Sequence, residues 1–399
     1  MPIPLRARTS AGADLVALAE RIAAGLAAAA PDHDRERTYP HDAIATLGDA
    51  GYLAAPIPAD LGGLGVASLH DLVVASSRLA RGDASVAIGV NMHMAVLDNV
   101  VRRWRRAAST GDVRRAAALG DVLAGVAHDG AVIATAVSEP GQDLGRPATT
   151  AARTPTGWRV DGRKIFCTMA PAATVLFTSV TFLDGDGEER YGYARIPARA
   201  PGVTIHDDWD ALGMRASGSH SVTFDGVELP ASALGGGFPV GTGAAYMAAN
   251  LNAGLFHAAA ALGIAEAARE LAARPAAGRE LDARSRMLVA ETAIALGAAQ
   301  ATLARAALLA EEQLEDGEPD DLATVFAEVQ AAKTFVNETA VRIVDMALAL
   351  AGGAAYRTAH PLSRLYRDVR AGAFMHPLGA NRAYELVGEV SLGRVPSLR

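Results

Sequence analysis

The chain has 399 residues, of which half are apolar, one is cysteine, and the net charge is −7 at pH 7. This length and apolar content suffice for two or three domains of ordinary size. The acidic balance argues against a nucleic-acid or anionic-membrane surface, because such partners require an excess of Lys and Arg on one face. The single Cys167 excludes an intrachain disulfide framework and fits a reducing compartment. Since the N-terminus lacks a signal-peptide core, we expect a cytoplasmic protein without a membrane span.

Three segments follow one another along the chain. In residues 1–130, Ala, Leu and Val recur at three- and four-residue spacing, as in ADLVALAERIAAGLAAAA, which predicts an N-terminal α-helical domain. In residues 131–237 the period changes to two, as in AVIATAVSE and TVLFTSVTF, which predicts a central β domain. Helical spacing returns in residues 238–399 and predicts a C-terminal helical bundle. This order is typical of an α+β fold rather than of a parallel α/β sheet.

Within the β segment, Asp161-Gly162 lies between two short alternating runs. This dipeptide tolerates the positive φ angles of a type I′ turn, so the pattern predicts a β-hairpin there.

A cluster of four arginines, Arg102, Arg103, Arg105 and Arg106, flanks Trp104 in the first segment. Charge runs at helical positions are usually solvated, which favours an exposed helix face or a subunit contact. An anionic ligand is the alternative.

Several motifs occur in the order and spacing of one protein family, and they span residues 51–370: GYLAAPIPADLGGLGV, AVSEPGQDLG, GWRVDGRKIFCT, LGMRASGSHSVTFDGVELP and PLSRLYRDVR. In these motifs the chain resembles the acyl-CoA dehydrogenase superfamily. The resemblance implies an N-terminal helical domain, a central β domain and a C-terminal four-helix bundle in each protomer of a homotetramer or homodimer. It also implies a flavin in the cleft between the β domain and the bundle.

The resemblance also implies which residues contact the flavin. An isoalloxazine needs hydrogen bonds at its polar edge and an apolar or aromatic wall beside its ring. By match to the family motifs, the resemblance implies that Val137, Ser138, Phe166 and Thr168 contact the flavin. It implies that Arg215 and Ser217 lie near the phosphate-bearing tail and the substrate cleft. Without the resemblance, strand Phe and Thr residues would be interpreted as core and cross-strand pairs.

The sequence departs from the family at the catalytic base. Conventional members remove an α-proton with a glutamate ten residues into the RD segment, and here that position holds His376, followed by Pro377. Members with the glutamate on the first bundle helix place it before an arginine, and here those two positions hold Ala253 and Gly254. Both alternative carboxylates are therefore absent.

The adenosine end of FAD loses support as well. Of the family's RxxFG motif only Arg274 and Gly278 are present, and the glutamine before Gly352-Gly353 is replaced by Ala349. The resemblance keeps Arg274, Gly352 and Gly353 as cofactor-binding candidates, although the two glycines could equally form a helix C-cap. The changes leave FMN, FAD or transiently bound reduced flavin as the cofactor.

In lacking both glutamates, the chain resembles one branch of the superfamily. Members of that branch hydroxylate or N-oxidise small molecules, using oxygen and reduced flavin from a separate NAD(P)H-dependent reductase. We therefore expect a monooxygenase, with a divergent acyl-CoA dehydrogenase and a redox-inactive flavin-binding homologue as alternatives. His376 is the first catalytic candidate, because an unperturbed histidine exchanges a proton near neutral pH. His93 in NMHMAV is the second. Each could instead be a histidine satisfied by packing.

Overall fold

Helices lie at both ends of the chain and strands lie between them, which confirms the predicted α+β class. The computed structural model describes residues 3–394 and 396, except 142, 235–236, 242, 279 and 316–321. The helices are α1 (Ser10–Glu36), α2 (His41–Asp49), α3 (Leu69–Gly82), α4 (Ala84–Ser109), α5 (Val113–Ala127), α6 (Ala244–Asn250), α7 (Ala253–Ala276), α8 (Ala283–Glu315), α9 (Leu322–Ala351), α10 (Pro361–Asp368) and α11 (Ala380–Ser391). The strands are β1 (Ile133–Ala136), β2 (Thr150–Thr154), β3 (Gly157–Cys167), β4 (Val175–Leu183), β5 (Glu189–Pro197), β6 (Val203–Ile205), β7 (His220–Pro230) and β8 (Phe238–Pro239).

One buried residue, Asp83, divides α3 from α4. Its extended backbone ends α3, and its side chain accepts hydrogen bonds from the backbone N–H groups of Ser85 and Val86. A carboxylate in this position satisfies N–H groups that have no partner inside the helix and favours the positive end of the helix dipole. The extended Asp83 therefore separates the two helices, and α4 continues into contact with β1.

The strands form one mixed sheet with the order β6-β7-β3-β2-β4-β5-β8, and β1 pairs in parallel with β4. The predicted hairpin at Asp161-Gly162 is wrong, because β3 continues through both residues while pairing with β7. The register of that pairing shifts between Val160 and Gly162, so the dipeptide marks a β-bulge. A Cβ atom at position 162 would lie 2.5 Å from the Thr149 hydroxyl, which explains the glycine there. The turn between β2 and β3 lies at residues 155–156.

The two helical regions share a single hydrophobic core rather than forming separate ones. A close contact joins α3 to α7 at Gly263, where an added Cβ would lie 2.2 Å from the carbonyl oxygen of Ser77. Phe256 on α7 and Val336 on α9 are fully buried in the same core. The sheet has its own core around Trp158 and Val180. The walls formed by α4 and α7 are consequently fixed relative to each other.

Three helical stretches have the length and apolarity of a membrane span: Ala84–Ser109, Tyr246–Ala276 and Ala283–Gln313. The apolar windows of the first two are 83% and 89% buried inside the fold, so their apolarity is explained by the core. The third window is only 39% buried, and it exposes Met287 and Ile294 on α8. This helix presents an apolar face at the surface of the protomer.

Candidate functional site

A cavity of about 1260 Å³ lies between the sheet and the helices. Its walls come from α4 and α5, from strands β1, β4 and β5, from the start of α7, and from residues 367–376. This is the cleft between β domain and bundle that the sequence resemblance implied.

One wall of the cavity presents an aromatic ring and several hydroxyl groups. The residues that the resemblance assigned to the flavin or the substrate cleft and that lie in the cavity lining are Val137, Ser138, Phe166, Thr168 and Ser217. The Phe166 side chain is 60% exposed, which is unusual for a large apolar group beside a core. The hydroxyl oxygen of Thr168 lies 2.9 Å from that of Ser219, which in turn lies 2.7 Å from that of Ser217. An exposed aromatic face next to a row of hydroxyls fits an isoalloxazine, which has an apolar ring and a polar edge.

A buried ion pair supports this wall from behind. Lys164 Nζ lies 2.7 Å from Glu139 Oε1 and donates to Ser179 Oγ at 3.0 Å. The backbone N–H of Ile165 donates to the carbonyl of Ser138, which joins the β3 end to the segment after β1. Burial lowers the pKa of Lys164 to about 8, and the carboxylate of Glu139 opposes that shift. The local sequence does not predict this pair, because a lone Lys and Glu in strands normally face solvent.

Phe166 adopts a left-handed backbone conformation with φ of 56°, which costs about 1–3 kcal/mol for a residue other than glycine. We expect Phe166→Ala to weaken flavin binding roughly tenfold, because it removes the aromatic face. Phe166→Gly should weaken binding equally while its melting temperature stays at or above that of the alanine variant, since glycine relieves the strain. Fluorescence titration with FMN and calorimetry measure both quantities. Phe335→Ala, at an exposed phenylalanine on α9, is the matched control. Unchanged FMN affinity in both Phe166 variants would contradict the stacking role.

The other predicted cofactor residues lie away from the cavity lining. Arg215 Nε donates to the carbonyl of Asp34 at 2.9 Å, at the end of α1. Arg274 is exposed near the end of α7. Gly352 has φ of 75° and donates its N–H to Leu348 at the end of α9, in keeping with the helix-end alternative, and Gly353 follows it at the surface. Contact between a flavin and Arg274 or these glycines stays a prediction.

His93 lies in the core rather than in the cavity lining. Its Nε2 lies 2.8 Å from the carbonyl oxygen of Leu53, and its Nδ1 accepts the backbone N–H of Ile133 at 3.0 Å. Both ring nitrogens are therefore occupied, Nδ1 in joining α4 to the β1 strand and Nε2 in joining α4 to Leu53. Burial lowers the pKa of His93 to about 4. The arrangement supports the packing interpretation of this residue.

His376 lines the cavity and is held by a defined set of partners. The Asn250 side chain donates its N–H to the Tyr246 carbonyl at 2.8 Å, which turns its oxygen toward His376 Nε2, also at 2.8 Å. The acceptor oxygen assigns the ring proton to Nε2 and leaves Nδ1 as a hydrogen-bond acceptor. The Tyr246 hydroxyl donates to the carbonyl of Pro377 at 2.5 Å and lies edge-on to the imidazole.

The environment of His376 differs from that of an ordinary histidine. Burial, followed by the nearby ammonium of Lys333, lowers the pKa of His376 to about 3. The ring is thus neutral at pH 7 and can accept a hydrogen bond there, but it is not a proton donor of the imidazolium kind. The expectation of proton exchange near neutral pH, which rested on the unperturbed pKa, does not fit this site.

One further polar residue lies at the inner end of the cavity, where α7 meets residues 375–378. His257 lies in the lining, one helical turn after Ala253, and neither of its ring nitrogens has a partner in the described structure. Burial and the charge of Lys333 lower the pKa of His257 well below its ordinary value. Asp121, on α5, is the one carboxylate among the described lining residues. The inner end therefore combines neutral imidazoles with a nearby cation.

Models of one protein family match the chain in three parts. The N-terminal domain of acyl-CoA dehydrogenase matches residues 14–108, its middle domain matches residues 134–227, and its C-terminal domain matches residues 255–377. The matches fall in the three predicted segments of the chain.

Individual proteins match over almost the whole length. The chain is 35% identical to L-evernosamine nitrososynthase of Micromonospora sp., over 96% of this chain and 91% of that protein. It is 36% identical to amino sugar nitrososynthase DnmZ of Streptomyces peucetius, over 97% and 95% of the two chains. A solved structure of KijD3 in complex with FMN and dTDP-3-amino-2,3,6-trideoxy-4-keto-3-methyl-D-glucose is similar with a TM-score of 0.91 and 32% identity, over 98% of this chain and 96% of that one.

Proposed function

This chain belongs to the acyl-CoA dehydrogenase family, and on that premise we propose that it N-oxidises the amine of a nucleotide-linked amino sugar. It is a flavin-dependent oxidoreductase of the monooxygenase kind. The nitrososynthase relatives and the ligand of KijD3 support the substrate class. The observation that carries the proposal is the inner end of the cavity, where neutral His376 and His257 stand in place of a carboxylate.

The chemistry of an amine explains why that composition matters. Only the free base has the nitrogen lone pair that must attack oxygen, and a carboxylate nearby would hold the amine as ammonium. When bound, reduced flavin would supply the two electrons by which O₂ gives one oxygen atom to nitrogen and the other to water, which yields the hydroxylamine; the nitroso sugar requires a second such oxidation. His376 Nδ1 accepts a hydrogen bond from the substrate amine and so orients its lone pair. A dehydrogenase would need a carboxylate at His376 or Ala253, and this chain has none at either position.

Guanidinium groups on another part of the lining suit the diphosphate of such a substrate. Arg103 on α4, Arg115 on α5 and Arg195 on β5 line the cavity from elements other than those that carry Phe166 and Thr168. Arginine binds phosphate oxygens through two parallel hydrogen bonds. The anionic-ligand alternative for the arginine cluster is thus assigned to Arg103.

We expect Arg103→Gln and Arg115→Gln each to weaken binding of dTDP by about 10- to 100-fold, because each removes a hydrogen-bonding cation worth about 1.5–3 kcal/mol. Titration calorimetry at two salt concentrations measures the loss, which should shrink at high salt. Arg106→Gln is the matched control, because Arg106 is exposed on the same helix and lies outside the cavity lining. Wild-type dTDP affinity in both cavity variants would contradict the diphosphate assignment.

The remaining partners follow from this chemistry. We assign FMN as the flavin, supplied in reduced form by a separate NAD(P)H-dependent reductase, and a cytoplasmic location. The exposed apolar face of α8 around Met287 and Ile294 suits contact with a second copy, which supports a homodimer or homotetramer.

The proposal is tested by supplying the protein with FMN, a flavin reductase, NADPH, labelled ¹⁸O₂ and a dTDP-linked amino sugar. The expected product is the hydroxylamine or nitroso sugar with the label on nitrogen, formed only with the reductase present. Bleaching of bound flavin by an acyl-CoA without oxygen would instead support the dehydrogenase alternative. Neither activity would support the redox-inactive homologue.

A further inference from the structure

The chain contains two lysines among 37 basic residues, and both are buried. Lys164 is paired with Glu139. Lys333, on α9, is 2% exposed, and within the described part of the chain it forms no ion pair with an acidic side chain. Burying a cation without a carboxylate partner costs desolvation free energy that other contacts must offset.

The ammonium of Lys333 is held by the loop that carries His376. Its Nζ donates to the carbonyl oxygen of Met375 at 2.5 Å and to that of Leu378 at 2.7 Å. Tyr246, from the α6 side, donates to the intervening carbonyl of Pro377. Three carbonyl groups around His376 are thereby fixed from two helices. The position of the imidazole in the cavity depends on these contacts.

In the part of the chain that the structure describes, the groups that face His376 supply no negative charge. They are Lys333 from α9, His257 from α7, and Tyr246 with Asn250 from the α6 side. Arg370, in the same stretch of chain, is paired with Asp345 outside this group. Among the described residues, the cation on α9 is thus the charge that acts on the pKa of His376.

Lysine suits this position in a way that arginine would not. Burial lowers the pKa of Lys333 to about 7, so the residue retains a substantial share of its charge at neutral pH. An arginine would stay charged even when buried, and its guanidinium group has five N–H donors, which need more acceptors than two carbonyls provide. The cost of the buried charge is consequently limited while its field acts on the cavity.

Resting on the proposed function, we infer that Lys333 is a positioning residue that fixes the 375–378 loop and makes the inner end of the cavity accept the substrate amine only as its free base. The ammonium form would meet a second cation in a partly dry site, where repulsion is strong. The free base meets the acceptor nitrogen of His376 without that repulsion.

The test uses Lys333→Met, which removes charge and hydrogen bonds, and Lys333→Gln, which keeps a donor and removes the charge. Arg305→Met removes an exposed cation next to α9, where Arg305 pairs with Glu328, and is the control. NMR titration of labelled histidines, without flavin or substrate, follows His376. We expect the pKa of His376 to rise in both Lys333 variants and to stay unchanged in the control. In the wild type, the His376 resonances should also report the deprotonation of Lys333 near pH 7.

With amino-sugar substrate, the acid limb of kcat should move to higher pH in both Lys333 variants, because the bound amine then holds its proton more tightly. An unchanged His376 titration in the folded variants, with no wild-type response near pH 7, would overturn the inference. That result needs no substrate, so it is distinct from failure of the proposed function, in which no amine is oxidised even by the wild type. A loss of activity without either pH shift would assign Lys333 a purely structural role.

Discussion

Ala253→Glu is expected to abolish amine oxidation at neutral pH while leaving the protein folded. Ala253 lines the cavity one helical turn before His257, so the new side chain extends into open space. A carboxylate within about 4–6 Å raises the pKa of an amine by 1–3 units, and a rise of two units lowers the free-base fraction about 100-fold. Activity should return as the pH is raised. Product formation by mass spectrometry across pH measures the effect.

Ala253→Gln is the matched control, because it adds the same volume without a charge. It should retain the pH profile of the wild type, with a change in KM at most. Equal activity of the glutamate and glutamine variants at pH 7 would show that free-base selection does not govern the reaction. Flavin bleaching by an acyl-CoA in the glutamate variant would show that the ancestral base position still functions.

His376→Leu is expected to lower the yield of oxidised amine on the order of 100-fold, because the amine then loses the acceptor that orients it. Reduced FMN and oxygen should still be consumed, with hydrogen peroxide as the product in place of the oxidised sugar. His376→Gln, which keeps polar atoms near Asn250, should retain part of the yield. The ratio of product to NADPH consumed is the measurement.

The pH dependence separates this role from proton transfer. Since the pKa of His376 is lowered to about 3, its neutral form persists down to that pH, and its protonation gives no limb between pH 5 and 8. A limb near pH 6.5 in the wild type that disappears in His376→Leu would contradict the acceptor role. Full product yield in the leucine variant would remove His376 from the mechanism.

Much of the fold could be predicted because hydrophobic periodicity is a local property. The change in the spacing of apolar residues near residue 131 predicts where the sheet begins. The family motifs predict that Phe166 and Thr168 lie in the cleft. The hairpin at Asp161-Gly162 was wrong because the same dipeptide suits a turn and a bulge, and only the pairing of β3 with β7 distinguishes them.

The charged groups that shape the site could not be predicted. Lys164 and Lys333 each lie in an unremarkable local pattern, and a single sequence does not reveal that a lysine is buried. The lowered pKa of His376 likewise depends on packing between residues far apart in the chain, with Tyr246 and Lys333 on separate helices. One local signal was available: His257 follows Ala253 by four residues and so shares its helix face.

The close approach of α3 to α7 at Gly263 bears on how such enzymes can be recombined. Because the first and last thirds of the chain complete each other's interior, neither third has a finished surface of its own. Chimeras that exchange the N-terminal helices between relatives would have to match an entire buried contact, including the side chains that face residue 263. The sheet has a core of its own, but Ile133 of β1 packs with Leu97 of α4, so a transplanted sheet, and with it the wall that carries Phe166, would have to keep that contact.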